Sequence, residues 1–220
     1  MLMGTTVAFL IACLLGGYLL GSLNASIIIG KILGVDIRKE GSKNAGMTNA
    51  LRVLGKKTAA MVFLFDLLKA VISVLLAGFA AKAFYPETKE MVQFAQYLSG
   101  FGAVLGHNFP VYFGFRGGKG ILASWGVIMI LDYRIALLLL LVFALVVSVT
   151  RYVSLASITS AILYPLFVIA FNVNLDDVTV PYYIALSLVV SVLAIYRHRA
   201  NISRLKSGTE SKLGAKAKKE

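Results

Sequence analysis

The chain has 220 residues, 59% of them apolar, with a net charge of +12 and a mean hydropathy of +0.83. That is too apolar for a water-soluble domain and points to an all-α integral membrane protein whose spans satisfy their own backbone hydrogen bonds. A single cysteine, Cys13, excludes an intrachain disulfide framework and a multi-cysteine metal site, and basic residues scattered between apolar runs do not make a nucleic-acid face.

A crossing needs about 20 apolar residues. The first run, 5–30, has no basic stretch before it and outlasts a signal-peptide core, so it is a retained span. A polar island follows at 36–52, DIRKEGSKNAGMTNALR. Gly41 and Gly46 let a backbone approach a ligand closely, while Ser42, Asn44, Thr48 and Asn49 supply neutral hydrogen-bonding groups. Thr48 or Asn49 is placed to cap a helix running through 50–54, an arrangement that favours phosphate, although an ordinary cytoplasmic loop has the same chemistry. The span 58–81 carries Asp66 and Lys69 at i,i+3, read as a structural ion pair rather than a proton relay.

After a further apolar segment, 91–106, comes GHNFPVYFGFRGGKG, residues 106–120. Its GGKG is not a nucleotide P-loop: the position six before Lys119 is Phe113, and Gly120 has no hydroxyl for magnesium. What remains is glycine-rich backbone (Gly117, Gly118) beside the cations Arg116 and Lys119, a set suited to phosphate held without a metal. His107 is a structural or functional histidine on even terms. Ile121–Leu131 is only part of a crossing, and 135–150, 152–172 and 178–196 complete the candidate spans. The last island is divided between Arg151–Ser154 and YRHRAN at 196–201, where His198 and Asn201 share a face if the helix continues.

The spans number about seven, within a range of five to seven. Connection 31–57 has seven Lys/Arg and two acids, 82–90 has two of each sign, and the next holds Arg116 and Lys119. Asp132 with Arg134, then Arg151, then Asp176 with Asp177, continue the alternation to a tail from Arg197 with eight Lys/Arg and two acids. The positive-inside rule puts the N-terminus outside and the C-terminus in the cytoplasm. Residues 1–206 are then one membrane domain. Residues 207–220 are a basic cytoplasmic tail, polar and mobile from Gly208 and set against anionic lipid.

The islands contain no paired carboxylates and no zinc helix motif, so no metal and no cofactor is expected, and the substrate has to arrive activated. A transporter of a small organophosphate is the alternative. It predicts midplane sites and two related halves, and no repeat is visible.

The runs GSKNAGMTN (41–49), GHNFPVYFGFRGGKG (106–120), RYVSLASI (151–158) and YRHRANISRLKSGTE (196–210) closely resemble the bacterial acyl-phosphate:glycerol-3-phosphate acyltransferases. The resemblance implies acyl transfer from acyl phosphate to the 1-hydroxyl of glycerol 3-phosphate, giving lysophosphatidic acid, the first step of phospholipid synthesis. It implies a multi-pass protein of the bacterial plasma membrane with its site facing the cytoplasm. It also raises docking of the soluble enzyme that makes acyl phosphate on the basic tail. Ser42 resembles the serine essential for activity, Asn44 and Arg52 substrate-contacting partners, and Lys119 the phosphate-binding lysine. His198 and Asn201 resemble the pair that closes the site from the last span, and His107 matches the motif histidine. The first motif departs from GSGN-(I/V)-GATN at Lys43, Ala45 and Met47. The His-x4-Asp dyad of other glycerolipid acyltransferases is missing, since Tyr112 and Ser203 stand five residues after His107 and His198.

Overall fold

The structure, a computed structural model, describes residues 2–174 and 177–214. Among the described residues the regular structure is helical, and the chain divides into two compact units, one running to Leu131 and one beginning at Asp132. The first contains α1 (Leu2–Ser22), α2 (Ala25–Ile32), α3 (Met47–Val53), α4 (Lys56–Phe84), α5 (Lys89–Asn108) and α6 (Ile121–Leu131). The second contains α7 (Tyr133–Thr150), α8 (Val153–Asn172), α9 (Val180–Arg197) and α10 (Arg199–Lys206).

Five stretches are long and apolar enough to cross a bilayer: Met3–Ile32, α4, α7, α8 and α9. This is a multi-pass membrane protein by that measure. Helix α6, at 11 residues, reaches roughly 16 Å, about half of a hydrocarbon core. Helix α5 has the length, 20 residues, but carries Gln93, Gln96, Ser99, His107 and Asn108 along it. The range of five to seven spans therefore turns on these two helices.

The packing logic is that of a lipid-exposed bundle. Large apolar side chains such as Leu64, Leu76, Phe79, Leu137, Leu145 and Val192 face outward, whereas Ala59, Ala70, Ser73, Ala77 and Ala81 of α4 are buried. Lipid gives no hydrophobic drive between helices, so small residues that admit close backbones occupy the interfaces. Helices α1 and α5 show it most sharply. A Cβ on Gly17 or Gly21 would land on the backbone of Ser99 or Ala103, and one on Gly102 or Gly106 on the backbone of Leu14 or Tyr18. Each helix thus offers the other a glycine pair one turn apart. Ser99 donates its hydroxyl to the Ser73 carbonyl at 2.9 Å and joins α5 to α4.

The first apolar run is not one helix, as its unbroken hydropathy suggested. It breaks at Leu23 and Asn24 because the buried Asn24 side chain caps α2, accepting from the Ile27 amide at 3.2 Å and the Ser26 hydroxyl at 2.8 Å. This break frees the Leu23 carbonyl. At the same end of α1, Tyr18 donates to the Phe109 carbonyl at 2.8 Å and Ser22 accepts from the Val111 amide at 3.4 Å, fastening the chain that leaves α5.

In the second unit α7 packs on α8 and α8 on α9. Asp132 caps α7, accepting from the Arg134 amide at 3.0 Å and pairing with its guanidinium at 2.8 Å. Arg151 ends α7 with φ of 65°, a left-handed geometry that disfavours side chains. Two backbone-directed bonds offset that cost: its carbonyl accepts from the Leu213 amide at 2.7 Å and its guanidinium donates to the Leu213 carbonyl at 3.1 Å. The tail expected from Gly208 is therefore fastened as far as Leu213. Residues 215–220 and Asp176 lie outside the described residues.

Candidate functional site

Ser42, Asn44, Thr48, Asn49, Arg52, His107, Gly117, Gly118 and Lys119 lie in the first unit, and His198 and Asn201 in the second. The first island folds around one buried side chain. Asn49 accepts from the Ser42 amide at 2.8 Å through Oδ1 and donates through Nδ2 to the carbonyls of Ile37 and Glu40, both at 3.0 Å. One amide thereby satisfies three backbone groups of the loop and sets the position of Ser42. Ser42, Asn44, Thr48 and Arg52 are half-buried, open enough to meet a ligand.

The expected cap is corrected. Gly46, extended at φ −166°, is the N-cap of α3, and its carbonyl accepts from the Ala50 amide at 3.0 Å, so Thr48 and Asn49 lie inside the first turn. The Asn49 amide is committed to the loop instead of the helix end. At seven residues, α3 is also too short to bring much dipole to bear on an anion. Lys43 has φ of 58° and is exposed. That left-handed backbone is a physical reason for glycine at this position in the family pattern, and it leaves Lys43 on the outside of the turn.

The second island folds back over the end of α5. The amides of Gly117 and Gly118 donate to the carbonyls of Asn108 and His107 at 3.3 and 3.0 Å. A Cβ on Gly117 would fall on the His107 carbonyl, and one on Gly118 on His107 Nε2 and the Ala45 carbonyl oxygen. Gly117 is thus required by the fold of this loop over the end of α5, and Gly118 also by its approach to the first island. Arg38 adds a second tie, donating to the Phe113 carbonyl at 3.0 Å while its guanidinium, bonded to Asp36 at 3.0 Å, holds that carboxyl below the usual aspartate range. Lys119 is half-buried and Arg116 exposed. Gly120, with φ of 79°, turns the chain into α6.

Beneath these loops is a buried ionic cluster. Lys69 Nζ lies 2.8 Å from Asp66 Oδ1, 2.7 Å from the Leu23 carbonyl and 3.1 Å from His107 Nδ1. The ion pair expected from sequence is present, and its extension to His107 was not foreseen, since the histidine is 38 residues away in the chain.

In the second unit, His198 and Asn201 are buried where α9 passes into α10. The helical path continues nearly unbroken, with the His198 amide bonded to Ala194 and the Ile202 amide to His198, as their shared face requires. His198 Nδ1 lies 2.8 Å from the Ala194 carbonyl. Asn201 donates to Glu210 Oε1 at 2.6 Å, and Arg204 to Glu210 Oε2 at 2.7 Å. Burial pushes the Glu210 carboxyl up, but hydrogen bonds from Asn201 and Arg204 outweigh it and hold it below the usual glutamate range.

Sequence reasoning missed three contributors: Asn24, Glu210 and the Lys69–His107 contact. A polar Asn inside an apolar run was the available signal for the first. No local signal marks the others, which arise from chain reversal. Among the described residues no group of three or more His, Cys, Asp or Glu lies together to hold a metal ion.

Comparison with known proteins gives a consistent result. The family model for glycerol-3-phosphate acyltransferase matches residues 11–208. A glycerol-3-phosphate acyltransferase of Clostridioides difficile (strain 630) is 46% identical over 90% of this chain and 93% of its own. One from Shouchella clausii (strain KSM-K16) is 46% identical over 96% and 98%. Crystal structures of PlsY (YgiH), an integral membrane glycerol 3-phosphate acyltransferase, are similar at 38% identity. Its glycerol 3-phosphate form has a TM-score of 0.80 with 96% of each chain covered. Its lysophosphatidic acid form has a TM-score of 0.78 with 93% and 95% covered.

Proposed function

The chain belongs to the glycerol-3-phosphate acyltransferase family, and from that premise we propose that it acylates the 1-hydroxyl of glycerol 3-phosphate with acyl phosphate as the donor. The observation that carries this reading is the seam in the first unit where Gly118 packs between His107 and the Ala45 carbonyl. It brings the loop bearing Lys119 against the loop bearing Ser42, giving cations, amides and hydroxyls to a phosphate-rich substrate pair without a carboxylate base.

Acyl phosphate is a mixed anhydride and needs little activation. The 1-hydroxyl oxygen attacks the acyl carbonyl carbon and forms the ester C–O bond. The anhydride C–O bond breaks, its electron pair leaves with phosphate, and a phosphate oxygen takes the hydroxyl proton. Proximity alone supplies roughly 7–11 kcal/mol. Lys119 and Arg52 neutralise phosphate oxygens, while Ser42 orients a phosphate or the carbonyl oxygen instead of carrying the acyl group. Asn44 and Thr48 contact substrate from the first island. The acyl chain lies in lipid between spans. The alternation of basic connections supports a cytoplasmic C-terminus and a cytoplasm-facing site, the family resemblance supports the bacterial plasma membrane, and the basic tail meets anionic lipid or the enzyme that supplies the donor.

The decisive assay gives purified protein radiolabelled glycerol 3-phosphate with acyl phosphate or, separately, acyl-CoA. Lysophosphatidic acid formed with acyl phosphate alone is expected, and turnover with acyl-CoA alone overturns the donor assignment. Ser42→Ala and Lys119→Ala each lose most turnover while retaining a folded elution profile. A covalent acyl adduct on Ser42, trapped with donor alone, sinks the single-displacement route.

A further inference from the structure

We propose that Asp66 and Lys69 are positioning residues for the Gly117–Lys119 loop, acting by fixing the ring tautomer of His107. The proposal rests on the reading of that loop as a wall of the phosphate site.

The geometry leaves little choice of proton placement. An ammonium group has three donors and no acceptor. Lys69 directs one to the Leu23 carbonyl at 2.7 Å and one to His107 Nδ1 at 3.1 Å, with Asp66 Oδ1 2.8 Å away as its counter-ion. His107 Nδ1 therefore accepts and carries a lone pair. The competing arrangement, Nδ1–H donating to Asp66, has a separation of 3.6 Å, beyond a hydrogen bond. The ring proton consequently sits on Nε2. Nε2 lies against Gly118, at the seam where a Cβ on that glycine would also meet the Ala45 carbonyl of the Ser42 loop. The same carbonyl receives Asn24 Nδ2 at 3.4 Å. A ring N–H aimed at this seam is attractive to the carbonyl, while the opposite tautomer would set a nitrogen lone pair against it.

Two features argue that the cluster serves the loop and not merely the bundle. Asp66, Lys69 and His107 are buried, at 1%, 5% and 4% exposure, and charges in such surroundings are costly and are kept for a use. The cluster joins the break after α1, the middle of α4 and the end of α5, from which the Gly117–Lys119 loop departs. His198 has the reverse arrangement: a carbonyl only accepts, so its Nδ1 carries the proton toward Ala194 at 2.8 Å. When neutral, the two histidines therefore show opposite chemistry at Nε2, a donor at His107 and an acceptor at His198.

The chain has two histidines, so ¹⁵N-histidine labelling in lipid nanodiscs resolves both rings, with His107→Gln assigning the signals. The expected spectrum has His107 protonated at Nε2 and bare at Nδ1. Lys69→Met should lose that preference and raise the KM for glycerol 3-phosphate or for acyl phosphate on the order of tenfold, with a smaller change in kcat. Lys69→Arg, still a donor, should keep the tautomer and most of the affinity. A wild-type His107 protonated at Nδ1 overturns the proposal, as does a folded Lys69→Met protein with unchanged tautomer and KM. If Lys69→Met does not fold, the wild-type tautomer and the KM of Lys69→Arg decide it, with tenfold weakening in a variant that keeps the tautomer counting against it. The ring signals need no substrate. A correct tautomer with no turnover on acyl phosphate would sink the donor assignment and leave this proposal standing.

Discussion

Asn49→Asp separates a loop-holding residue from a substrate contact. The substitution is nearly isosteric and keeps Oδ1, the acceptor for the Ser42 amide at 2.8 Å. It removes the two bonds that Nδ2 donates to the Ile37 and Glu40 carbonyls at 3.0 Å, and points a carboxylate oxygen at both. Asn49 is 1% exposed, so water does not replace them. Each buried group left unsatisfied costs about 1–3 kcal/mol, or about 2–6 kcal/mol for the pair, before any repulsion. Loop opening by 2 kcal/mol corresponds to about 30-fold faster amide exchange. Hydrogen–deuterium exchange in nanodiscs, read on a peptide spanning 37–42, should show at least that acceleration, with turnover falling in parallel. Asn44→Asp, at a half-buried neighbour, should lower activity without loosening the loop. An Asn49→Asp protein with native exchange at 37–42 and lost activity would refute the reasoning and return Asn49 to direct substrate contact.

Three further outcomes follow from the packing and charge. Gly21→Ala drives a Cβ into the Ala103 backbone, whereas Gly16→Ala on the same helix meets nothing within 4 Å. The first should cost on the order of 1–3 kcal/mol and lower the melting temperature in detergent, and the second should leave it unchanged or raise it. Gly118→Ala places a methyl group on the His107 ring edge and the Ala45 carbonyl. Its turnover should drop at least about tenfold while its melting temperature falls less than that of Gly21→Ala. Glu210 has a carboxyl held below the ordinary value of 4.5, so its stabilising contribution is complete above that value and is lost as pH falls through the lower folded-state value. Glu210→Gln should therefore be less stable than wild type at pH 7, with the gap closing below about pH 4.5. A gap that persists unchanged in acid would show that the contacts of Asn201 and Arg204 do not depend on the charge.

Much of this was legible in the chain because lipid imposes strict rules. Long apolar runs have to be helices, since nothing else satisfies the backbone there, and α4, α7, α8 and α9 appear close to where hydropathy placed them. The polar islands were visible because glycines, amides and cations interrupt those runs, and Ser42, Lys119, His198 and Asn201 stand in motifs too long to be generic. Asp66 and Lys69 were readable as a pair because three residues separate neighbours on one helical face.

Other features depended on contacts between distant segments. Hydropathy could not show the break at Asn24, because a single capping amide ended the helix inside an apolar run. Thr48 and Asn49 looked like caps, yet Gly46 took that place and Asn49 turned to the loop 37–42. The role of Gly118 is set by His107 and Ala45, from α5 and the first island, and the partner of Lys69 comes from 38 residues away. Sequence by itself determined the membrane class, the helical spans and the residue types available to hold phosphate, because those depend on composition and on local period. Tertiary structure decided which carbonyl each amide meets and which ring nitrogen faces Lys69, because hydrogen-bond partners and close approach are properties of separate segments brought together.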